Sequence, residues 1–347
     1  GDDVAGGHQP VAISATQGVD VSRSYTVMIA HRTAAVVTGG VAMANRELTV
    51  LGTASQTPTR QRNHNGYFLR WDGAGFLFDP GEGTQRQMLL AGVPHSALTH
   101  IFITHFHGDH CLGLPGVIQR LSLDRVDHPV HVYFPASGLG YFERLRGAAV
   151  FDDVADLRLH PVEEPGVVGE APGLRIVAGK LRHRTDAFGW RLEEPAGVRM
   201  LPERLAALGV VGPDVGRLAR EGSVLAGDGR VVGLAEVSAE RPGQRFAFVM
   251  DTAACEGAEA LAEGADLLVT ESTFLVTEQE RATAWGHQTA REAAQIAAGA
   301  GARRLVLTHF SQRHPDATVY LEEAGPIFAE TVAAEDLMTI PVPPRRA

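Results

Sequence analysis

The sequence predicts an α/β or α+β fold built on a sheet core, with one projecting insertion. Short apolar runs bounded by Gly, Pro or Asp recur along the chain and read as buried strands. Some are followed by amphipathic segments with helix caps, and others stand back to back as hairpin pairs. One stretch, 195–242, breaks this rhythm.

Residues 1–42 are Gly, Ala, Ser and Thr with scattered valines and no clear periodicity. They read as a disordered or extraneous tail ahead of Met43, the alternative being an extra strand or a short regulatory segment. The main domain is expected over 43–340. It opens on "LTVLG", a strand running into a polar turn, followed by the strand "YFLRW". "AGFLFDPGEGTQRQMLLAGV" reads as strand, Gly-rich turn and helix. "LTHIFITHFHGDH" is a strand and loop, "LGLPGVIQRLSL" a helix and "VHVYFP" a strand. "LRIVAGKLRHRTDAFGWRLEE" suggests two paired strands, and "RFAFVMDT" and "ADLLVTEST" are short strands ending in polar residues. "TAREAAQIAAGAGARRLVLTHFS" is a helix stopped by glycines and then a strand, with Thr289 and Glu292 forming a capping box. The region 195–242, rich in Gly, Pro and Arg, reads as an insertion or arm.

Composition narrows the function. The chain has 347 residues, 44% hydrophobic and 21% charged, which is ordinary globular composition. No uninterrupted apolar run reaches membrane-spanning length, and the acidic start is the wrong flank for a secretory signal, so a cytoplasmic protein without a membrane role is expected. Two cysteines, Cys111 and Cys255, exclude both a disulfide framework and a thiolate zinc cluster. A net charge of −10 argues against broad, non-specific nucleic-acid binding. Lys180 is the only lysine, so phosphate contacts would fall to arginine guanidinium groups.

The chemistry concentrates in "ITHFHGDHCLG", where His105, His107, Asp109 and His110 fall within six positions. Neutral imidazole and carboxylate are the usual ligands of zinc and similar metals. His105 and His107, two apart at a strand end, project to one side, and Asp109 and His110 follow in the loop before a helix. So many desolvated ligand groups would be costly together without a metal. Three later strands end in the same residue types, at Asp251, Glu271 and Thr308-His309, and His183 lies near the end of another. Polar residues at the carboxyl ends of buried strands are how open sheets assemble a site. Taken singly, Asp251 and Glu271 also read as turn residues, and His8, His31, His95, His128, His131, His160 and His314 as surface or capping residues. His287 is either a polar loop residue ahead of the Thr289 cap or a catalytic imidazole near a helix amino terminus. "DPGEGTQRQ" lacks the lysine and spacing of a nucleotide-binding loop and reads as a tight turn.

"HFHGDH" resembles the H-x-H-x-D-H motif of the metallo-β-lactamase superfamily, which implies a four-layered αββα sandwich binding two metals at one edge. The superfamily's redox branch carries glutamate where His107 stands, so the resemblance implies hydrolysis. Within it, an ordered set of segments from about Glu47 to His314 resembles ribonuclease Z, the endonuclease that removes the 3′ trailer of precursor tRNA. They are "LGTASQTPTRQRN", "FLFDPGEGTQRQM", "KLRHRTDAFGWRL", "MDT", "GHQTA" and "LTHFSQRH". The chain departs from the family pattern at Met250, Ala253 and His314, and its arm has no lysine.

Carried over by position, the resemblance implies one metal held by His105, His107 and His183, and another by Asp109, His110 and His309, with Asp251 bridging. The metals would be two zinc ions, or manganese, activating a bridging hydroxide that Asp109 orients. His287, paired with Glu271, would protonate the departing 3′ oxygen, leaving a tRNA 3′-hydroxyl and a 5′-phosphorylated trailer. The segment "LGVVGPDVGRLAREG" resembles part of the family's arm, which clasps tRNA across a homodimer and would here use Arg217 and Arg220. Arg60 and Arg62 follow the first strand and read either as a solvated loop or as contacts to acceptor-stem phosphates. The rival is another dinuclear hydrolase of the same fold acting on small phosphodiesters or arylsulfates.

Overall fold

The computed structural model describes residues 46–345, so the tail expected over 1–42 lies outside the described residues. Alternation along the strands decides the architecture. In β3 (Ala74–Phe78), Phe76 and Phe78 face one apolar cluster and Leu77 another. In β14 (Arg245–Val249), Phe246 and Phe248 face the same central cluster, while Ala247 and Val249 turn away from it. A period of two with both faces apolar requires a layer on each side of each sheet. The result is two seven-stranded sheets packed face to face, with helices outside each. This is the four-layered αββα sandwich that the resemblance implies.

The first sheet combines β1 (Arg46–Gly52), β2 (Gly66–Trp71), β3, β4 (His100–Phe102), β5 (Val130–Pro135) and β6 (Leu157–Val162), and β18 (Thr339–Pro341) returns beside β1. The second runs in the order β17 (Thr331–Ala333), β16 (Leu305–Thr308), β15 (Leu267–Glu271), β14, β9 (Phe188–Glu193), β8 (Leu174–Lys180) and β7 (Gly166–Ala171). Between them Phe78, Phe102, Tyr133, Phe246 and Phe248 form a stacked and tilted aromatic core, with Phe78 and Phe102 ring centroids 4.9 Å apart. The expected hairpin pair is the antiparallel β8–β9 couple, and helix Ala290–Gly299 carries the expected capping box. Strands β6 and β7 escape a sequence reading, because their partly exposed, mixed polarity gives no clean alternation.

Two features position the site. Strands β3, β4 and β5 are parallel, as are β14, β15 and β16, so their carboxyl ends fall together. At or just beyond those ends stand Asp79, His105, Asp251, Glu271 and His309.

The arm is more ordered than its Gly- and Pro-rich composition suggests. It leaves on β10 (Gly197–Met200) and returns on β13 (Ser238–Arg241), paired in register from Gly197–Arg241 to Met200–Ser238. Between them lie helices Pro202–Ala207 and Pro213–Glu221 and a hairpin of β11 (Ser223–Leu225) and β12 (Val231–Gly233). Leu205, Val210, Leu218, Val224, Val232 and Val237 close a small apolar core of their own. Elements this short carry little periodic signal, which is why the sequence shows only a break in rhythm.

Among the described residues, no helix is long and apolar enough to cross a membrane.

Candidate metal centre

The edge loops bring seven predicted ligand residues into contact. His105 Nε2 and His107 Nδ1 are 2.9 Å apart, and His183 Nε2 is 3.3 Å from that same His107 nitrogen. Asp251 Oδ2 faces this trio, 3.6 Å from His105 Nε2 and 3.8 Å from His183 Nε2. Its other oxygen faces a second group, 3.0 Å from His309 Nε2 and 3.4 Å from His110 Nε2. Asp109 Oδ2 completes that group, 3.2 Å from His110 Nε2 and 3.4 Å from His309 Nε2. Ligands about 2.1 Å from a tetrahedral metal stand roughly 3.4 Å apart, and both groups match that spacing. They share Asp251, one carboxylate oxygen to each side.

The electrostatics ask for cations. Asp251 Oδ1 is buried without a hydrogen-bond donor, although two ring nitrogens stand close by. Leaving a buried carboxylate oxygen so is costly unless a positive charge accompanies it. Burial works against charging His110, yet Asp251, Asp109 and Asp79 outweigh it and hold that imidazole well above its ordinary value. Burial would raise the Asp109 carboxyl, but His110 and His309 hold it well below the usual range. His105, fully buried, is driven down by desolvation and by neighbouring His110. The donor set therefore suits metal ions.

Outer contacts fix the rings. His110 Nδ1 donates to Asp79 Oδ2 at 2.8 Å, and Asp79 is itself held by the Thr104 amide and hydroxyl at 2.7 Å. His183 Nδ1 donates to the Gly286 carbonyl at 2.9 Å. A carbonyl only accepts, so the lone pair of His183 sits on Nε2, which faces the cluster. His309 Nδ1 meets the Thr273 hydroxyl at 2.6 Å, and that hydroxyl donates to Glu271 Oε2 at 2.5 Å. Asp79, Asp251 and His309 all take positive φ, at 44°, 43° and 59°. That region is sparsely populated by non-glycine residues and recurs at functional sites.

His287 stands beside the cluster. Its Nδ1 donates to Glu271 Oε1 at 2.9 Å, and Glu271 Oε1 also accepts the Thr252 amide at 2.7 Å. Burial would lower the His287 pKa, but Glu271 and Asp251 raise it to about 9. A cavity of about 580 Å³ opens onto His107, Asp109, His183, Asp251, His287 and His309, with Arg184, Arg281 and Arg313 also lining it.

Several sequence readings change. Asp79, which the sequence presents only as part of a tight turn, is an orienting residue. It ends a strand like Asp251 does, in "FLFD" as in "FVMD", and that parallel was the available signal. Arg62 turns inward. It is 9% exposed, donates to the His314 and Pro315 carbonyls at 2.9 Å, and lies over the Phe310 ring. Arg60, Arg217 and Arg220 are exposed, and Arg217 pairs with Asp214. His95, read as a surface or capping residue, is buried at the start of the short 3-10 turn His95–Ala97. Cys111 is buried and donates to the His107 carbonyl at 3.2 Å, and burial pushes its thiol up to about 12.

Comparison with known proteins agrees with this geometry. The family model of the metallo-β-lactamase superfamily matches residues 59–309. A ribonuclease Z of Nocardia farcinica is 59% identical over 307 residues, covering 88% of this chain and 100% of that one. A ribonuclease Z of Salinispora arenicola is 58% identical, covering 88% of this chain and 98% of its own. The crystal structure of human tRNase Z, short form, superimposes with a TM-score of 0.63 at 26% identity, over 86% of this chain and 99% of that one. Identity at this level, sustained along nearly the whole of each relative, makes the chain a member of the ribonuclease Z family within the metallo-β-lactamase superfamily.

Proposed function

We propose that this hydrolase is a zinc-dependent endoribonuclease that removes the 3′ trailer from precursor tRNA. The observation that carries the proposal is the pair of donor groups sharing Asp251, with the His287–Glu271 couple beside them and His287 on the same cavity wall. His105, His107, His183 and Asp251 would hold one ion, and Asp109, His110, His309 and Asp251 the other. Zinc ions held there would supply Lewis acidity to the phosphodiester and would bring water within reach of deprotonation near neutral pH.

The chain's own groups do the rest. Asp109 is the carboxylate positioned to accept a hydrogen bond from the attacking water and aim its lone pair at phosphorus. Nδ1 of His287 is committed to Glu271, so Nε2 is the atom left to carry a proton toward the departing 3′ oxygen. Glu271 stays ionised despite burial, because His287 holds its carboxyl below the usual range. The new bond joins water oxygen to phosphorus and the broken one frees the 3′ oxygen. The products are a tRNA 3′-hydroxyl and a 5′-phosphorylated trailer.

The test is cleavage of a 3′-extended precursor tRNA by zinc-loaded protein, with the cut mapped. Cleavage just after the discriminator base is expected. Brisk hydrolysis of bis(p-nitrophenyl) phosphate without tRNA cleavage would instead assign the site to a small phosphodiester or arylsulfate.

The arm supports the choice of a large substrate, and its folded core makes it separable. Val198 and Glu240 are register partners, so an Asn-Gly turn can replace Arg199–Ala239 and close the ribbon as a hairpin. We expect that variant to lose at least about a hundredfold in kcat/KM on precursor tRNA, a loss of roughly 3 kcal/mol of binding. Its hydrolysis of bis(p-nitrophenyl) phosphate should persist. In a homodimer the arm would reach the substrate of its partner, and mixing arm-less and His287→Ala chains tests that by restored cleavage.

The two loop arginines should separate cleanly. Arg62→Ala leaves two carbonyls without their donor and is expected to destabilise the fold by about 1–3 kcal/mol, read as a lower melting temperature. Arg60→Ala should leave melting unchanged but flatten the salt dependence of tRNA binding.

A further inference from the structure

Trp285 is the one indole exposed among the described residues. Trp71 and Trp190 are buried at 3% and 0% exposure, whereas Trp285 is 53% exposed and lines the cavity over the metal centre. Its partner is Arg184, whose guanidinium carbon lies 4.6 Å from the ring centroid. Arg184 has no ion-pair partner among the described residues, unlike Arg281 and Arg313 on the same cavity, which both reach Glu278. Neither half of the Trp285–Arg184 pair is needed to close a core or neutralise a carboxylate.

The pair is held in register with the chemistry. Arg184 follows His183, and Trp285 precedes His287 by two residues. Gly286 between them takes φ 72°, its carbonyl accepts the His183 Nδ1 proton, and an added Cβ would lie 3.4 Å from that same nitrogen. The His287 amide donates to the Ala282 carbonyl at 2.9 Å, which ends the helix carrying Trp285. One turn thus fixes an exposed indole, a metal-facing imidazole and the proton-carrying imidazole relative to one another.

We propose that Trp285, backed by Arg184, is the stacking platform for the nucleobase on the 5′ side of the scissile phosphate, the last base of the mature tRNA. This rests on the precursor-tRNA reading above. Arg184 lies over the ring, and the half-exposed indole lines the same cavity as the metal-facing groups. Single-stranded nucleotides bind aromatic and guanidinium planes in this way, and stacking tolerates any base because each has a π face. The 5′ base is chosen over the 3′ one because it is joined to the ribose whose oxygen leaves toward His287. Trp285 is therefore a binding and positioning residue and takes no part in proton transfer.

The test compares precursor tRNAs carrying a normal or an abasic nucleotide at the last tRNA position, or at the first trailer position, on zinc-loaded protein. Trp285→Leu should lower kcat/KM on the normal precursor roughly ten- to hundredfold, largely through KM, and Trp285→Phe should recover most of it. Wild type should lose a similar factor when the last tRNA base is removed, and Trp285→Leu should lose little more. Mature-length tRNA should quench the exposed tryptophan emission of the wild-type holoenzyme, and less so when that base is absent. Melting temperature and metal content of the variants report folding. Independent losses from mutation and base removal, or interdependence with the first trailer base instead, would overturn the assignment. If wild type fails to cut any precursor while hydrolysing bis(p-nitrophenyl) phosphate, the tRNA reading itself has failed.

Discussion

His287→Ala is expected to lower kcat on precursor tRNA by about two to four orders of magnitude, the usual worth of a positioned general acid, while zinc content per chain stays at the wild-type level. The two readouts separate the roles open to this imidazole. His287 lies near His309 and Glu271, and those three could in principle hold an ion of their own. Glu271, however, already accepts from the Thr252 amide, the Thr273 hydroxyl and His287, so its oxygens are engaged in orienting neighbours. A drop in zinc content alongside activity would make His287 a ligand and remove it as proton donor. The pH profile adds a second check. A general acid must be protonated, so kcat falls as pH rises through its pKa. Glu271 raises the His287 pKa against the effect of burial, which puts that alkaline limb above the ordinary imidazole value of about 6.5. Glu271→Gln removes the charge but keeps the side-chain volume, and should move the limb to lower pH as well as reduce the maximum rate.

How much of this was legible follows from how each residue is presented along the chain. His105, His107, Asp109 and His110 fall within six positions, and their crowding is visible without any structure. Asp251, Glu271 and His309 are dispersed, but each ends an apolar run, and parallel pairing of β14, β15 and β16 aligns those ends. His183 lies only near a strand end, in the turn that joins β8 and β9, so its signal is weaker; its place beside His107 depends on two sheets meeting at one edge. Asp79 shows the cost of reading a turn by its glycines and proline alone. Arg62 shows the converse: two arginines two residues apart in one loop look equivalent, and only packing against Phe310 and the 314–315 carbonyls separates the inward one from the outward one. The strands of the sheet core were visible as short apolar runs and the sandwich followed only from the resemblance, while the interior of the arm was not legible at all. Its core is assembled from single residues of elements three to nine residues long, none of which completes a recognisable period.

Asp251→Ala carries the other large expected effect, because one carboxylate serves both donor groups. Its oxygens lie within 3.0–3.8 Å of His105, His183, His110 and His309, and among the described residues only Asp251 belongs to both groups. Removing it leaves three imidazoles on one side and two imidazoles with Asp109 on the other, each short of a ligand and without the shared negative charge. Zinc content should fall from about two ions per chain to below one, and precursor cleavage should become undetectable. Stability gives the sharper readout. Metal that binds only the folded chain stabilises it by about 4 kcal/mol at a thousandfold excess over its dissociation constant. Wild type stripped with a chelator should therefore melt at lower temperature and regain that loss with added zinc, whereas Asp251→Ala should show little response. An Asp251→Ala protein that still binds two zinc ions and gains full thermal protection from them would mean that Asp251 does not bridge the site.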